Sequence, residues 1–204
     1  MPERDSIYLD HAATSPPPPE LLEVFREQLR RGAWNPGARY APAVENRARL
    51  EASRSKLAGK LGCSPRHLIY TSGGSESNNL ALHALSKKAR GKRLWYSPTL
   101  HPSLAEPVKT LELAGWECEP CATGPGGGID VEKNLEGDGA PELLVLEWVN
   151  NELGFIQPVG RLAEALKKRH NRLKVLVDGV QGFCKLPLPD LKYIDAFSIS
   201  GHKL

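Results

Sequence analysis

The chain ends in Asp195-Ala-Phe-Ser-Ile-Ser-Gly-His-Lys-Leu204, and this stretch decides how the rest of the sequence is interpreted. Residues 195–199 have the composition of a short buried strand. Residues 200–202 predict a tight turn after it, which places Lys203 directly beyond the strand. A lysine at such a place is usually a solvated chain end, so its role depends on what the preceding sequence brings to the same place.

Upstream of this stretch, short apolar segments alternate with segments of helical periodicity. The predicted strands cover residues 67–71, 94–97, 116–122, 143–148 and 173–177, and the helices that follow strands cover 76–89, 104–114 and 159–170. Two earlier helices are predicted over 19–32 and 42–60, after a short extended arm over 6–10. Strands that alternate with helices predict an α/β domain with a mostly parallel sheet.

The composition is that of an ordinary globular protein and argues against several classes. With 204 residues, 40% of them hydrophobic, the chain can bury the core of a single domain. The net charge of +3, with acidic and basic residues interleaved, gives no reason to expect nucleic-acid binding. No apolar run approaches the roughly 20 residues of a membrane helix, and the N-terminus has no apolar signal region. Four cysteines in such a chain favour free thiols in a reducing, cytoplasmic compartment.

Polar loops follow the predicted strands at their carboxyl ends, where ligands collect in parallel α/β sheets. The five loops lie at residues 72–76, 101, 150–151, 178–181 and 200–203. One or two such loops could occur by chance, but five at the same edge of the sheet indicate a ligand site. Together they supply an amine for a Schiff base, an anion for a pyridinium nitrogen and a phosphate cradle. These are the groups that pyridoxal 5'-phosphate (PLP) requires.

Lys203 and Asp178 are central to this hypothesis. Lys203 is the predicted Schiff-base lysine and proton carrier, and the ordinary alternative is a terminal surface lysine. Asp178 would keep the ring nitrogen protonated, so that the ring can accept electrons, although an aspartate after a strand is also a common cap. Gln181 could reach the phenolic oxygen of the ring, or it could be a surface amide.

The loop Ser72-Gly-Gly-Ser-Glu76 is the predicted phosphate cradle. Its glycines let backbone N–H groups approach an anion, Ser75 adds a hydroxyl, and the start of the next helix favours negative charge. The same residues could instead be a capped helix start. The loop matches neither the Walker sequence nor Gly-x-Gly-x-x-Gly, so a plain nucleotide-binding domain is the weakest alternative.

His101 and Asn151 complete the candidate site. His101 could stack on the cofactor ring and take part in proton transfer, although a lone histidine is more often structural. Asn151 could bond the phenolic oxygen or the substrate, although asparagine is also a usual turn residue.

The cysteines predict no metal site. Cys118 and Cys121 have the spacing of metal ligands, but no second pair completes a site, and a structural role is favoured. Cys63 and Cys184 are predicted to pack in the interior.

Five motifs, taken in order along the chain, resemble those of the cysteine desulfurases. They are Tyr8-Leu-Asp-His-Ala-Ala-Thr14, Thr71-Ser-Gly-Gly-Ser-Glu-Ser-Asn-Asn79, Val149-Asn-Asn-Glu-Leu-Gly154, Val177-Asp-Gly-Val-Gln181 and Ser198-Ile-Ser-Gly-His-Lys203. That family belongs to the class V aminotransferase group of fold-type I PLP enzymes, and the third and last motifs favour its NifS/IscS-like branch. The resemblance implies a three-layer α/β/α PLP-binding domain over 16–204, incomplete at its C-terminus, and an N-terminal arm over 1–15 that belongs to the family's small domain.

The resemblance also implies a role for each candidate residue. Lys203 matches the PLP lysine, and Asp178 matches the partner of the pyridinium nitrogen. Gln181 and Asn151 match groups at the phenolic oxygen, and His101 matches the histidine that stacks on the ring. The matches to phosphate contacts are Gly74, Ser75, Ser200 and His202.

The activity implied by the resemblance is removal of sulfur from L-cysteine, which leaves L-alanine and a persulfide. The sulfur would pass to an acceptor or scaffold protein, typically for iron–sulfur cluster biogenesis or tRNA thiolation, and the enzyme would be a homodimer. Three alternatives stay open: a selenocysteine lyase, another class V PLP enzyme, and a non-catalytic fragment that pairs with a complementary C-terminal chain.

Two features depart from the family. His11 stands where asparagine is usual, which affects the substrate end of the site. Family members also continue well beyond the PLP lysine, and that later part carries the nucleophilic cysteine and the arginine that binds the substrate carboxylate. None of the four cysteines here matches that nucleophile. The chain is therefore expected to be inactive and poorly stable alone, and the strand predicted at 68–70 is expected to lack a neighbour.

Overall fold

A computed structural model of the chain describes residues 7–136 and 139–204, which form two compact units. The sheet unit contains the N-terminal segment up to Ser15 together with Thr71–Leu204, and the helical unit contains Pro16–Tyr70. Ser6, the first residue of the predicted arm, lies outside the described residues, and residues 7–10 form no regular element. The assignment of residues 1–15 to a small domain stays a prediction.

In the described part of the sheet unit, five strands form one parallel sheet. They are β1 (Arg93–Tyr96), β2 (Glu117–Pro120), β3 (Leu143–Glu147), β4 (Lys174–Asp178) and β5 (Ala196–Ser198). Their order across the sheet is β2-β1-β3-β4-β5, and every neighbouring pair is parallel. The predicted parallel sheet is confirmed.

The helices begin and end within a few residues of the predicted positions. They are α1 (Pro19–Arg30) and α2 (Ala41–Leu61) in the helical unit, and α3 (Gly74–Ser86), α4 (Pro102–Leu113) and α5 (Val159–Arg169) in the sheet unit. Across the described ranges, no helix is both long and apolar enough to cross a membrane.

The central strand β3 is buried along its whole length, because helices cover both faces of the sheet. Leu144 and Leu146 pack in one hydrophobic cluster with residues of α5. Leu143 and Val145 point to the opposite face, as alternate residues of a strand do, and pack with residues of α3 and α4. Burial of each such side chain contributes roughly 1.5–3 kcal/mol, so both faces of β3 stabilise the three-layer α/β/α fold.

Polar residues lie at the carboxyl ends of the three strands on one side of the sheet. Glu147 of β3 pairs in register with Asp178 of β4, and Asp178 pairs with Ser198 of β5. All three residues are buried. The parallel register therefore places three polar side chains next to one another at one edge of the sheet.

The helical unit begins with an amphipathic helix. Pro19 occupies the first turn of α1 and the preceding Pro18 is extended, as expected where prolines precede a helix start. Leu21, Phe25 and Leu29 recur every four residues on α1, and all three side chains are exposed. Gly62 ends α2 with a left-handed backbone, φ +65°.

The strand predicted over 67–71 is wrong. Residues Pro65–His67 form a 3-10 turn, and the residues after it form no strand. Leu68 has extended backbone, φ −91° and ψ 120°, but no other strand of the described residues pairs with this segment. Ile69 is 68% exposed. An extended segment forms a strand only when a neighbour takes its backbone hydrogen bonds, and that neighbour is absent from the described residues.

The prediction that Cys63 and Cys184 pack in the interior is also wrong, since both are exposed. Cys63 follows the left-handed Gly62, and its N–H donates to Ala58 O in a helix-ending turn beyond the packed part of α2. Cys184 has a left-handed backbone itself, φ +61°, within the turn after β4. A thiol at either turn points into solvent, away from the packed faces.

Candidate active site

A cavity of about 180 Å³ lies at the carboxyl end of the sheet, within the sheet unit. All nine residues singled out in the sequence line it: Gly74, Ser75, His101, Asn151, Asp178, Gln181, Ser200, His202 and Lys203. Five further residues line it: Asn78, Ser103, Glu147, Val149 and Val180. A larger and more open depression of about 530 Å³ lies at the loop around Gly126 and contains none of the nine. The chemistry is therefore concentrated in the smaller cavity.

Asp178 is the buried anion of the cavity, with 8% of its surface exposed. Its Oδ1 accepts from the backbone N–H of Val180 at 2.9 Å, and its Oδ2 accepts from Asn78 Nδ2 at 2.8 Å. The first bond is the turn cap that had been the ordinary alternative for this residue, so Asp178 both caps the turn and faces the cavity. Each carboxylate oxygen has one protein donor and keeps accepting capacity for an occupant.

Asn78 connects Asp178 to the neighbouring elements. It lies on α3 one turn after Gly74 and is 1% exposed. Besides Asp178, its Nδ2 donates to Ser103 Oγ at 2.9 Å, and its Oδ1 accepts from Ser198 Oγ at 2.6 Å. Every polar atom of this buried amide has a partner, as burial requires.

His101 is the N-cap of α4. Its Nδ1 accepts from the backbone N–H of Ser103 at 3.1 Å and lies 2.9 Å from Ser103 Oγ. Capping satisfies a backbone donor that the helix leaves without a partner. The residue thus has a structural bond on one ring nitrogen, while the ring also lines the cavity.

Glu147 is a second buried carboxyl at the cavity, 3% exposed. Its Oε1 accepts from Thr99 Oγ1, from Ser97 Oγ at 3.2 Å and from Asn150 Nδ2 at 3.3 Å. Burial raises the pKa of Glu147 above its usual range, and the nearby charge of Asp178 raises it further. Two carboxyls on neighbouring strands, Glu147 and Asp178, therefore line the cavity with different hydrogen-bond partners.

The start of α3 lies close to the turns that follow β4 and β5. A Cβ added to Gly74 would lie 2.9 Å from Val180 Cγ2 and 3.6 Å from Ser200 Cβ, so the absence of a side chain allows this close approach. The N–H of Ser72 donates to Glu76 Oε2 at 2.6 Å, and this bond lowers the pKa of Glu76. Ser75 keeps an exposed hydroxyl at the first turn of the helix.

Ser200 and His202 form a pair in the last turn of the chain. Ser200 is buried, and its Oγ lies 2.9 Å from His202 Nδ1. Both face the same cavity as the N-terminus of α3, whose free N–H groups favour an anion. These residues can therefore bind a phosphate group.

Lys203 and Gln181 share one acceptor. The Lys203 Nζ and the Gln181 Nε2, the latter at 2.7 Å, both donate to the backbone oxygen of Ala12. Thr14 Oγ1 and the N–H of Ser15 donate to His202 O at 3.2 and 2.9 Å. The N-terminal segment thus lies against the C-terminal turn that carries the candidate lysine.

The two asparagines after β3 have different roles. Asn150 is buried, donates through Nδ2 to Thr99 O at 2.8 Å, and accepts through Oδ1 from the N–H groups of Glu152 and Leu153. It is a turn residue. Asn151 lines the cavity, so it is the asparagine available to an occupant.

The sequence contained signals for the residues that were missed. Asn78 lies four residues after Gly74, which places both on one face of a helix. Glu147 is a carboxylate within an otherwise apolar strand, and such residues are almost never buried without a partner or function. No group of three or more His, Cys, Asp or Glu side chains in residues 7–136 and 139–204 could hold a metal ion.

The chain is similar to several known proteins over nearly its whole length. A cysteine desulfurase of Rattus norvegicus is 34% identical over 205 residues, which cover 97% of this chain and 45% of the relative. The solved structure of a NifS-like protein matches with a TM-score of 0.88 at 28% identity, over 97% of this chain and 55% of that one. The structure of SspA in complex with cysteine matches with a TM-score of 0.86 at 29% identity, over 97% and 58%.

The chain thus spans about half the length of the relatives that it matches. A sequence model of one family, described as aminotransferase class-V, matches residues 7–204. Because that match covers nearly all of the chain, the protein belongs to the aminotransferase class-V family.

Proposed function

We propose that the chain is the cofactor-binding part of a PLP-dependent cysteine desulfurase, which takes sulfur from L-cysteine and leaves L-alanine. One observation carries the proposal: the nine residues expected for a PLP site line one cavity, with the buried carboxylate of Asp178 among them. The similar proteins include one named cysteine desulfurase and one solved with cysteine, which favours this activity over a selenocysteine lyase.

The residues of the cavity fit PLP. Asp178 would hold the ring nitrogen, and Gln181 and Asn151 would bind the phenolic oxygen. The close approach at Gly74 and the N-terminus of α3 suit a phosphate, with Ser75, Ser200 and His202 as further contacts. Bound PLP would supply an electron sink for the bond changes at the α carbon of the substrate.

Lys203 has two tasks in this proposal. Its amine would hold the cofactor covalently and would then carry a proton to and from the substrate. Both tasks require the amine to leave the Ala12 oxygen to which it donates. His101 would cover the ring, with its Nδ1 engaged by Ser103.

The sulfur-accepting cysteine would come from outside the residues of this chain. Burial raises the pKa of Cys118 to about 11 and that of Cys121 to about 12, and a thiol that stays protonated is a poor nucleophile. Cys63 and Cys184 are exposed but do not line the cavity. We therefore propose that a complementary chain or an acceptor protein supplies the thiol.

The test is an absorbance spectrum of the chain with added PLP. We expect a visible band from PLP held by Lys203, and its loss in Lys203→Ala. Lys192→Ala, a lysine that lies over the Tyr193 ring and not at the cavity, is the matched control and should keep the band. A folded wild-type chain without the band, or a band that survives in Lys203→Ala, would contradict the proposal.

A further inference from the structure

A continuous set of hydrogen bonds runs from Asp178 to His101. It passes from Asp178 Oδ2 to Asn78 Nδ2, from Asn78 Nδ2 to Ser103 Oγ, and from Ser103 Oγ to His101 Nδ1. The three distances are 2.8, 2.9 and 2.9 Å. Asn78 and Ser103 thus connect two residues of the candidate site that belong to different elements.

The direction of each bond follows from the chemistry of its partners. An ionised carboxylate can only accept, so the amide atom of Asn78 that lies 2.8 Å from Asp178 is the nitrogen. The amide oxygen then faces Ser198 Oγ, which donates to it. This leaves the second N–H of Asn78 to donate to Ser103 Oγ.

The donors around Ser103 and His101 determine which ring nitrogen of His101 carries the proton. Ser103 Oγ accepts a hydrogen bond from the Asn78 N–H, so its own O–H is free to donate to His101 Nδ1. The backbone N–H of Ser103 donates to the same nitrogen at 3.1 Å. A nitrogen that accepts from two donors carries no proton, so neutral His101 carries its proton on Nε2.

We propose that Asn78 and Ser103 are positioning residues that form a directional relay, which orients the Asp178 carboxylate and keeps the proton of neutral His101 on Nε2. The relay does not depend on the identity of the occupant. Its use in catalysis rests on the proposed function, because it would fix two of the groups that contact PLP. His101 would then be a donor through Nε2, while Nδ1 stays occupied.

The experiment is nitrogen NMR of the chain labelled with ¹⁵N in histidine, without PLP. Six histidines contribute signals, and a His101→Gln variant identifies those of His101. We expect the wild-type chain to show an unprotonated Nδ1 and a protonated Nε2 at neutral pH. If the wild-type chain instead shows a proton on Nδ1 of His101, that result alone overturns the relay.

Two variants test the path of the relay. Ser103→Ala removes the hydroxyl donor from Nδ1. Asn78→Asp, which is nearly the same size, replaces the nitrogen that donates to both Asp178 and Ser103 with an oxygen. The new carboxyl and Asp178 would share one proton, because two adjacent buried charges are disfavoured. The oxygen then accepts from the Ser103 hydroxyl, which turns away from His101. Both variants should move the Nδ1 signal, although Asn78 does not touch His101. Ser198→Ala, which removes the other partner of Asn78, is the control and should leave the signal in place. An unmoved signal in Asn78→Asp would overturn the proposal.

A titration with PLP separates the relay from the proposed function. Ser103→Ala keeps the bond from Asn78 to Asp178 and should lose less affinity for PLP than Asn78→Ala does. Asn78→Ala loses that bond to a charged group and should bind PLP roughly tenfold more weakly. Equal affinity of Asn78→Ala and the wild type for PLP would contradict the positioning of Asp178. If neither the wild type nor any variant binds PLP, the proposed function is contradicted and the relay is not.

Discussion

At the scale of single residues, the two buried carboxyls of the cavity are expected to make the stability of the chain depend on pH. Glu147 and Asp178 lie in register on neighbouring strands, and both are buried. Two like charges in a desolvated site disfavour simultaneous ionisation. Burial, followed by the charge of Asp178, is what raises the pKa of Glu147, while donors from Thr99, Asn150 and Ser97 oppose the rise.

Replacing Glu147 by glutamine is expected to change how stability depends on pH. Because the pKa is raised, the folded chain binds the proton of Glu147 more tightly than the unfolded chain does. Stability of the wild type should therefore fall as pH rises above the ordinary range of a glutamate. Glu147→Gln cannot ionise, so it should gain stability relative to the wild type as the pH rises from about 4, near the ordinary pKa of a glutamate, towards neutral. Urea unfolding across this pH range measures the difference.

The control for this prediction is an exposed glutamate in the turn after β3, Glu152. Glu152→Gln should leave the dependence of the unfolding midpoint on pH close to that of the wild type. If the unfolding midpoint of Glu147→Gln also depends on pH as that of the wild type does, the folded chain does not bind the proton of Glu147 more tightly than the unfolded chain. The raised pKa of Glu147 would then be wrong.

At the scale of elements, the contact between β5 and the turn after β4 is unusually close. A Cβ added to Gly179 would lie 2.1 Å from Cζ and 2.5 Å from Cε1 of Phe197, far inside van der Waals contact. The N–H of Gly179 donates to Ser198 O at 2.9 Å, so the backbone cannot simply move away. The aromatic ring of β5 therefore requires glycine directly after Asp178.

Gly179→Ala is expected to destabilise the chain by about 1–3 kcal/mol, the usual effect of overpacking. Phe197→Leu removes the ring atoms nearest to the added methyl group. The double variant should therefore lose less stability than the sum of the two single variants. Urea unfolding of all four proteins tests this, and strict additivity would show that the ring is not the obstacle.

The strands and helices of the sheet unit could be predicted because their signals are local. The apolar run of β3 predicts a buried strand, and the spacing of Val159, Leu162 and Leu166 predicts one buried face of α5. The segment 67–71 has the same composition as a strand, but strand formation also depends on a partner. No local pattern tells whether that partner is present, so this element was predicted wrongly.

At the scale of the whole molecule, the residues of the cavity could be predicted but their contacts could not. Polar loops after parallel strands meet at one edge, so the sequence could indicate that Lys203 and Asp178 lie near each other. The sequence could not indicate that Ala12 accepts from both Lys203 and Gln181, because the contact spans nearly the whole chain and uses a backbone oxygen. Contacts of this kind leave no side-chain signature.

This contact places the two ends of the sheet unit together at the cavity. Removing residues 1–13 would take away the Ala12 oxygen and release both Lys203 and Gln181. Lys203 must leave that oxygen to hold PLP in any case, so the loss falls on Gln181. Its freed amide would have no fixed orientation, and ordering it again on binding opposes association. We expect PLP to bind up to tenfold more weakly to the shortened chain, about the effect of losing one hydrogen bond.

A titration of the visible PLP band against concentration measures this affinity. Removal of residues 1–6 alone is the matched control, because it keeps every contact described for the N-terminal segment from Tyr8 to Ser15. If both shortened chains bind PLP as tightly as the full chain, the N-terminal segment does not orient the site. If only the longer deletion weakens binding, residues 7–13, which include the Ala12 oxygen, help the C-terminal turn to form the cavity.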